Sequence, residues 1–221
     1  MGRTVPVDTG TWQPDVLEHY NQALWSCEAL QVRDAAGAVL PFDVSRWLAP
    51  PDLADETMLV RCTGPTLDVG CGPGRLVAAL TSRGVPALGV DVAATAVAIT
   101  RATGALALRR SVFDRVPGAG RWQFTLLADG NIGIGGDVGA LLTRVRELLA
   151  PGGHALVEVD GSDTEQRMLA TIGVGHGQLP ASFPWARVGA PALLRTAIAC
   201  GFTRAEQWEA VGRHFVALQR I

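Results

Sequence analysis

The sequence predicts an α/β protein with a doubly wound, mostly parallel sheet, and three observations carry that prediction. A buried strand through Leu67 and Val69 stops at a glycine-rich turn and continues directly into an apolar helix. From Thr63 onward, short β-type runs alternate with helical patterns, which leaves a parallel sheet covered on both faces. Two further runs, 203–209 and 215–220, are joined near Gly212 and read as a terminal hairpin.

Composition sets the outer bounds. The chain has 221 residues, 48% of them apolar, ample for one buried core. A formal net charge of -2 offers no basic face for nucleic acid and no attraction to an acidic membrane surface. All 19 basic residues are arginine. Cys27, Cys62, Cys71 and Cys200 are scattered without a C-x-x-C pair, so they read as reduced, small buried residues and not as a metal site or disulfide framework. The first residues are polar, with Asp8, Gln13, Asp15 and Glu18, and no apolar run is long enough to span a bilayer. The expectation is a soluble cytoplasmic protein without a metal; oligomeric state is silent.

Taken in order, residues 1–61 form a segment apart, expected to be a helical lid on a domain covering 62–221. Residues 1–61 hold half of the tryptophans and the only tyrosine. Residues 14–30 have helical spacing, with Val16, Tyr20, Leu24 and Trp25 sharing a face. Pro50-Pro51 breaks the chain before a short helix that starts at Asp52. The first core strand ends at Gly70. Helix 75–83, strand 87–91, helix 93–103 and a strand leading to Arg109 follow. A fourth strand covers 122–127, and the loop 129–136 precedes Asp137, placed to N-cap a helix over 138–150. Pro151-Gly152-Gly153 ends that helix, 154–159 is the fifth strand, and helix 190–200 closes at Gly201.

The chemistry concentrates at the ends of these strands. Gly70, Gly72 and Gly74 remove Cβ atoms where a ligand approaches backbone and permit the dihedrals of a sharp βα turn. Asp91 ends the second strand about twenty residues on, where a carboxylate can accept both ribose hydroxyls of an adenosine. The dinucleotide fingerprint G-x-G-x-x-G would need its third glycine at Arg75. With the Tyr-x-x-x-Lys pair also impossible in a chain without lysine, a nicotinamide-dependent oxidoreductase fails.

Residues 67–76, followed by Gly89-Val90-Asp91, resemble motif I and its successor in class I S-adenosylmethionine-dependent methyltransferases of the small-molecule type. The resemblance extends over about 63–221 and includes the Leu149-Ala-Pro-Gly-Gly153 turn and the terminal hairpin. It implies a Rossmann-like sheet of seven strands, the last inserted antiparallel beside the fifth, with S-adenosylmethionine across the strands' carboxyl ends and S-adenosylhomocysteine as product. Under that resemblance Asp68 and the Gly70 backbone face the methionine amino group, and Cys71, Gly72 and Gly74 shape the loop under the cofactor. Asp91 holds the ribose and Val92 packs on the adenine. Ser111, Val112, Phe113 and Asp114 form the adenine-reading turn, with Ser111 or Asp114 in the acidic residue's place. Tyr20 resembles a tyrosine that contacts the cofactor carboxylate; it equally fits a helix aromatic packing on the core.

The acceptor side carries less signal. The fourth strand ends at Leu127-Ala128-Asp129-Gly130-Asn131, without the Asn/Asp-Pro-Pro-aromatic motif of nucleic-acid and protein amide methyltransferases. Asp129 and Asn131 stand where donor and acceptor should meet, although Asp129 also suits a loop-capping role. Gly130, Gly133, Gly135 and Gly136 fit either close approach to a ligand or a long turn. Methyl transfer is an in-line displacement in which a base is optional. His176, after the fifth strand, is the best-placed base; His19 is weaker, and His154 and His214 look structural. Glu158 and Asp160 either orient an acceptor or close their strand, and Phe183-Pro184-Trp185 suits an apolar pocket wall. The expected function is methyl transfer to a small molecule, with O-, N- and C-acceptors open. A fold-sharing binding module, cyclase partner or regulatory subunit stays open, because these motifs report binding and not turnover.

Overall fold

The computed structural model describes residues 12–174 and 181–221. The N-terminal segment contains α1 (Pro14–Ser26), β1 (Leu30–Arg33), α2 (Val44–Leu48) and α3 (Leu53–Leu59). The core then alternates through β2 (Thr66–Val69), α4 (Arg75–Ser82), β3 (Ala87–Asp91), α5 (Ala94–Ala102), β4 (Ala107–Arg109) and β5 (Trp122–Leu127). A kinked 3-10 turn, Asn131–Gly136, leads to α6 (Val138–Leu148) and β6 (Leu149–Val159). After these come β7 (Glu165–Val174), β8 (Ala181–Val188), α7 (Ala190–Ala199), β9 (Phe202–Ala210) and β10 (Arg213–Arg220).

Seven strands form the main sheet in the order β4-β3-β2-β5-β6-β10-β9. The five strands from β2 to β6 are mutually parallel, and β10 enters antiparallel between β6 and β9. Each element has a local cause. β2 is buried at all four positions, as a central strand covered on both faces must be. Asp137 caps α6 by accepting from the Ala140 N–H at 2.9 Å. Gly201, at φ +80°, takes the left-handed conformation that ends α7. Leu141, Leu142, Val145 and Leu193 pack on one face of the sheet. Met58, Leu59, Leu76 and Leu80 pack on the other against Leu126, Leu156 and Phe215.

The second sheet was not foreseen. β1, β7 and β8 pair antiparallel in the order β1-β7-β8, so the first sixty residues are not wholly helical. Leu30, Val32, Ala170, Ile172, Ala181, Phe183 and Trp185 join Val16, Tyr20, Ala23 and Leu24 of α1 in one apolar cluster. Trp25 does not share that face. It is 84% exposed, and Ala23 fills the position instead. This small sheet and α1 stand over the carboxyl ends of the parallel strands. Among the described residues no helix is long and apolar enough to cross a membrane.

Candidate functional site

One cleft gathers most of the chemistry. It encloses about 940 Å³, the part open to solvent included. Its floor is the turn after β2, with Gly70 at φ +68° and Gly72 at φ +55°, dihedrals that a β-carbon disfavours. A Cβ at Gly70 would also meet the Asn131 amide at 2.8 Å, while at Gly72 it would come 3.4 Å from the Tyr20 hydroxyl oxygen. The loop is pinned from the side: Asn131 Nδ2 donates to the carbonyls of Val69 at 3.0 Å and Gly70 at 2.9 Å. Tyr20, Cys71, Asp91, Val92, Ser111, Val112, Asp129 and Asn131 all line this cleft.

Three of the expected residues are not among those that line the cleft. Gly74 does not line the cleft; its Cβ would strike Thr100 at 2.4 Å, so its glycine serves the packing of α4 against α5. Phe113 is half-buried and packs into the main core. Asp68 lies behind the lining at 2% exposure. Its Oδ2 is buried without a hydrogen-bond partner, and burial pushes its carboxyl up to about 7 while Arg75 pulls it back. In the adenine-reading turn Ser111 lines the cleft and exposed Asp114 does not. Ser111 Oγ accepts from the Phe113 N–H at 3.2 Å.

Asp91 is already organised. One carboxylate oxygen accepts from the Gly72 N–H at 2.9 Å and the other from the Ala93 N–H at 2.8 Å. Burial pushes its carboxyl up to about 6 against those bonds. Each oxygen keeps a further acceptor site for a ligand. Burial likewise raises the Tyr20 hydroxyl and the Cys71 thiol well above their ordinary values, so neither is a ready base.

Asp129, two residues past the end of β5, has a positive φ of 54° and is tied on both oxygens. Arg46 donates to one at 2.6 Å and Arg75 to the other at 2.6 Å. Its own N–H donates to Glu158 Oε2 at 2.6 Å. Arg75 also grips Asp55 at 2.9 and 3.0 Å, and Arg213 grips Glu158 at 2.8 and 2.7 Å and Asp55 at 2.9 Å. Burial holds the Asp129 carboxyl above its ordinary value despite these arginines. Glu158 therefore closes the network, and Asp160 accepts from Ser162 and Arg187.

Sequence reasoning missed Arg46, Arg75, Asp55 and Arg213. One signal was present. A cation at the first residue of α4 opposes the helix dipole and calls for buried acids beside it.

Opposite the glycine turn the cleft wall is aromatic. Trp12, Tyr20, Phe42, Trp47, Pro184 and Trp185 line it. Their rings pack at centroid distances of 5.6 Å for Trp12–Tyr20, 5.9 Å for Tyr20–Trp47, 5.8 Å for Phe42–Trp47 and 5.1 Å for Phe42–Trp185. The glycines before α6 let this wall approach: a Cβ on Gly133 would sit 2.2 Å from the Ala186 carbonyl, and one on Gly136 would sit 3.0 Å from Pro184. Their close approach is thus to β8, although Gly135 does line the cleft. A second cavity adjoins the first and shares Phe42, Trp47, Asp129 and Trp185 with it; Arg46, Glu158, Asp160 and Arg187 add charge.

Of the histidines, His154 stacks on Phe124 at 5.9 Å and His214 lies 3.8 Å from Glu209, both away from the cleft. His19 is half-buried on α1 and does not line the cleft. His176 lies outside the described residues.

Comparison with known proteins agrees with this arrangement. A methyltransferase-domain family model matches residues 48–192. No curated protein matches the chain. Among solved structures, a methyltransferase from Bacteroides fragilis in complex with S-adenosylhomocysteine superposes with a TM-score of 0.78 at 19% identity, covering 96% of this chain and 99% of that one. The 1,6-didemethyltoxoflavin N1-methyltransferase of Burkholderia thailandensis gives 0.54 at 19% identity over 76% of each chain. A glycopeptide N-methyltransferase gives 0.58 at 14%, covering 82% of this chain and 94% of that one. The family match spans well over half of the sequence. The chain therefore belongs to the methyltransferase-domain family, as a class I S-adenosylmethionine-dependent methyltransferase.

Proposed function

We propose that this enzyme methylates a small planar molecule whose reactive atom enters between the glycine turn and the aromatic wall. The observation that carries this reading is the pairing, in one cleft, of a nucleoside-type cradle with Trp12, Phe42, Trp47 and Trp185. The structural neighbour that is a 1,6-didemethyltoxoflavin N1-methyltransferase is consistent with it. So is the net charge of -2, which offers a nucleic-acid partner nothing to bind.

The residues present fit the cofactor. The unpartnered, buried Asp68 Oδ2 suits a cationic amino group, the backbone at Gly70 and Gly72 admits close approach, and Asp91 retains acceptor capacity for ribose hydroxyls. Val92, Ser111 and Val112 would flank the adenine, while Tyr20 and Asn131 border the methionine end. Bound S-adenosylmethionine supplies a methyl group on a sulfonium, ready for displacement. The chain's own task is alignment: the aromatic wall sandwiches the acceptor and excludes water, and Asp129, fixed by two arginines, orients it without accepting a proton. If a proton must leave, His176 is the base we assign.

Titration calorimetry with S-adenosylmethionine and S-adenosylhomocysteine tests the cofactor; failure of both to bind, with tight NADH binding, would overturn it. Transfer of labelled methyl to a panel of heteroaromatic amines and phenols tests the acceptor class, and cofactor binding without transfer to any small molecule would favour the binding-module reading. His176→Ala should lose at least about tenfold in turnover at high pH, where a wild-type imidazole is free to accept a proton, and less at low pH, where it is already protonated. Full turnover across pH would remove the base role.

A further inference from the structure

Resting on that reading of the cleft, we propose that Arg46 is a positioning residue: its ion pair with Asp129 latches α2 over the cofactor and holds Trp47 as the wall between the two cavities. α2 has only five residues, too few to be stable alone, so its place depends on what ties it down. Asp43 caps it and Val44 is its buried residue. Trp47, next to Arg46, lines both cavities and meets Tyr20 and Phe42 edge-on at 5.9 and 5.8 Å. The tie from this helix to the site floor is Arg46 Nη2, donating to Asp129 at 2.6 Å.

The rest of that guanidinium is held loosely. Its Nε is buried without a hydrogen-bond partner, 3.7 Å from Asp52, and Nη2 is 3.8 Å from Glu158. The core does not depend on the contact. Without Arg46, Asp129 keeps Arg75 at 2.6 Å, and Arg213 keeps Glu158 and Asp55. The floor keeps its other partners if the bond is lost, whereas α2 then has only the packing of Val44, Trp47 and Leu48 to hold it, and Arg46 is exposed enough, at 29%, for the pair to open. Cofactor and product exchange would then be gated by this pair, as loop opening gates many enzymes.

The test uses S-adenosylhomocysteine as the probe and follows tryptophan fluorescence in a stopped-flow instrument, comparing wild type with Arg46→Met and Arg46→Lys. Arg46→Met should speed dissociation about tenfold, with a smaller change in association. Arg46→Lys should recover most of the wild-type rate, because it keeps the charge at Asp129. High salt should speed release from wild type but not from Arg46→Met, and the melting temperatures should agree within about 2 °C. Unchanged dissociation in Arg46→Met, or faster dissociation that Lys fails to rescue and that comes with a large fall in melting temperature, would overturn the latch. Absence of binding to wild type would instead overturn the cofactor reading itself.

Discussion

Asp68 is a carboxyl group at 2% exposure with one oxygen unpartnered, an arrangement that disfavours its charged form. Its pKa is pushed up to about 7 in the folded chain, against 3.8 as the ordinary value. The sign of the linkage follows. The unfolded chain gives up this proton near pH 4 and the folded chain near pH 7, so the native state without ligand loses stability as pH rises through that window, by up to about 4 kcal/mol. A cationic amino group beside Oδ2 would favour the charged form and release the proton on binding. Asp68→Asn should therefore stabilise the unliganded protein at pH 8 and leave it nearly unchanged at pH 4, as read by urea denaturation. The same change should weaken S-adenosylhomocysteine binding and flatten its pH dependence between about 6 and 8. Equal effects on stability at both pH values would show that Asp68 does not titrate there.

At the scale of the element, what was legible followed from local causes. The strand–glycine–helix turn, the Asp137 cap and the Gly201 stop each leave a mark within a few residues, and the number of strands and the antiparallel insertion of the last beside the fifth came with the family resemblance. The small sheet left no such mark. β1 finds its partner in β7, about 140 residues away, and four residues of Leu-Gln-Val-Arg carry too little alternation to announce a strand. The glycines teach a related lesson. Gly70, Gly74 and Gly133 look equivalent in sequence, yet their missing Cβ atoms make room for Asn131 and Ile134, for Thr100, and for the Ala186 carbonyl respectively. Spacing told where backbone must come close, but only the tertiary packing decided to what. Trp25 erred in the same way, since its place on a helical face was ambiguous until β7 and β8 covered α1.

Across the whole molecule, the charge network of Arg46, Arg75 and Arg213 with Asp55, Asp129 and Glu158 joins segments that helices and sheets alone would leave separate. It runs from α2 and α3 through the first residue of α4 to the ends of β5 and β6 and the start of β10. Arg75 lies at its centre, at 7% side-chain exposure, paired to Asp55 at 1% and Asp129 at 11%. Such a network need not stabilise more than apolar packing would, but removing one member leaves buried charges without partners. Arg75→Met should accordingly cost about 3–5 kcal/mol in chemical denaturation, because Asp55 would keep Arg213 as its one arginine partner and Asp129 only Arg46 and the more distant Arg213 at 3.7 Å. The acid limb adds a second check. Asp55 is lowered to about 2 by Arg75 and Arg213 against the opposing effect of its burial, so its contribution is present above about pH 4 and is lost as pH falls towards 2. That contribution is about 2 kcal/mol in wild type, and Arg75→Met should shrink it. If the variant instead unfolds along the wild-type pH curve, merely displaced by a constant, then Arg75 fills space at the site floor and its charge is not what holds these segments together.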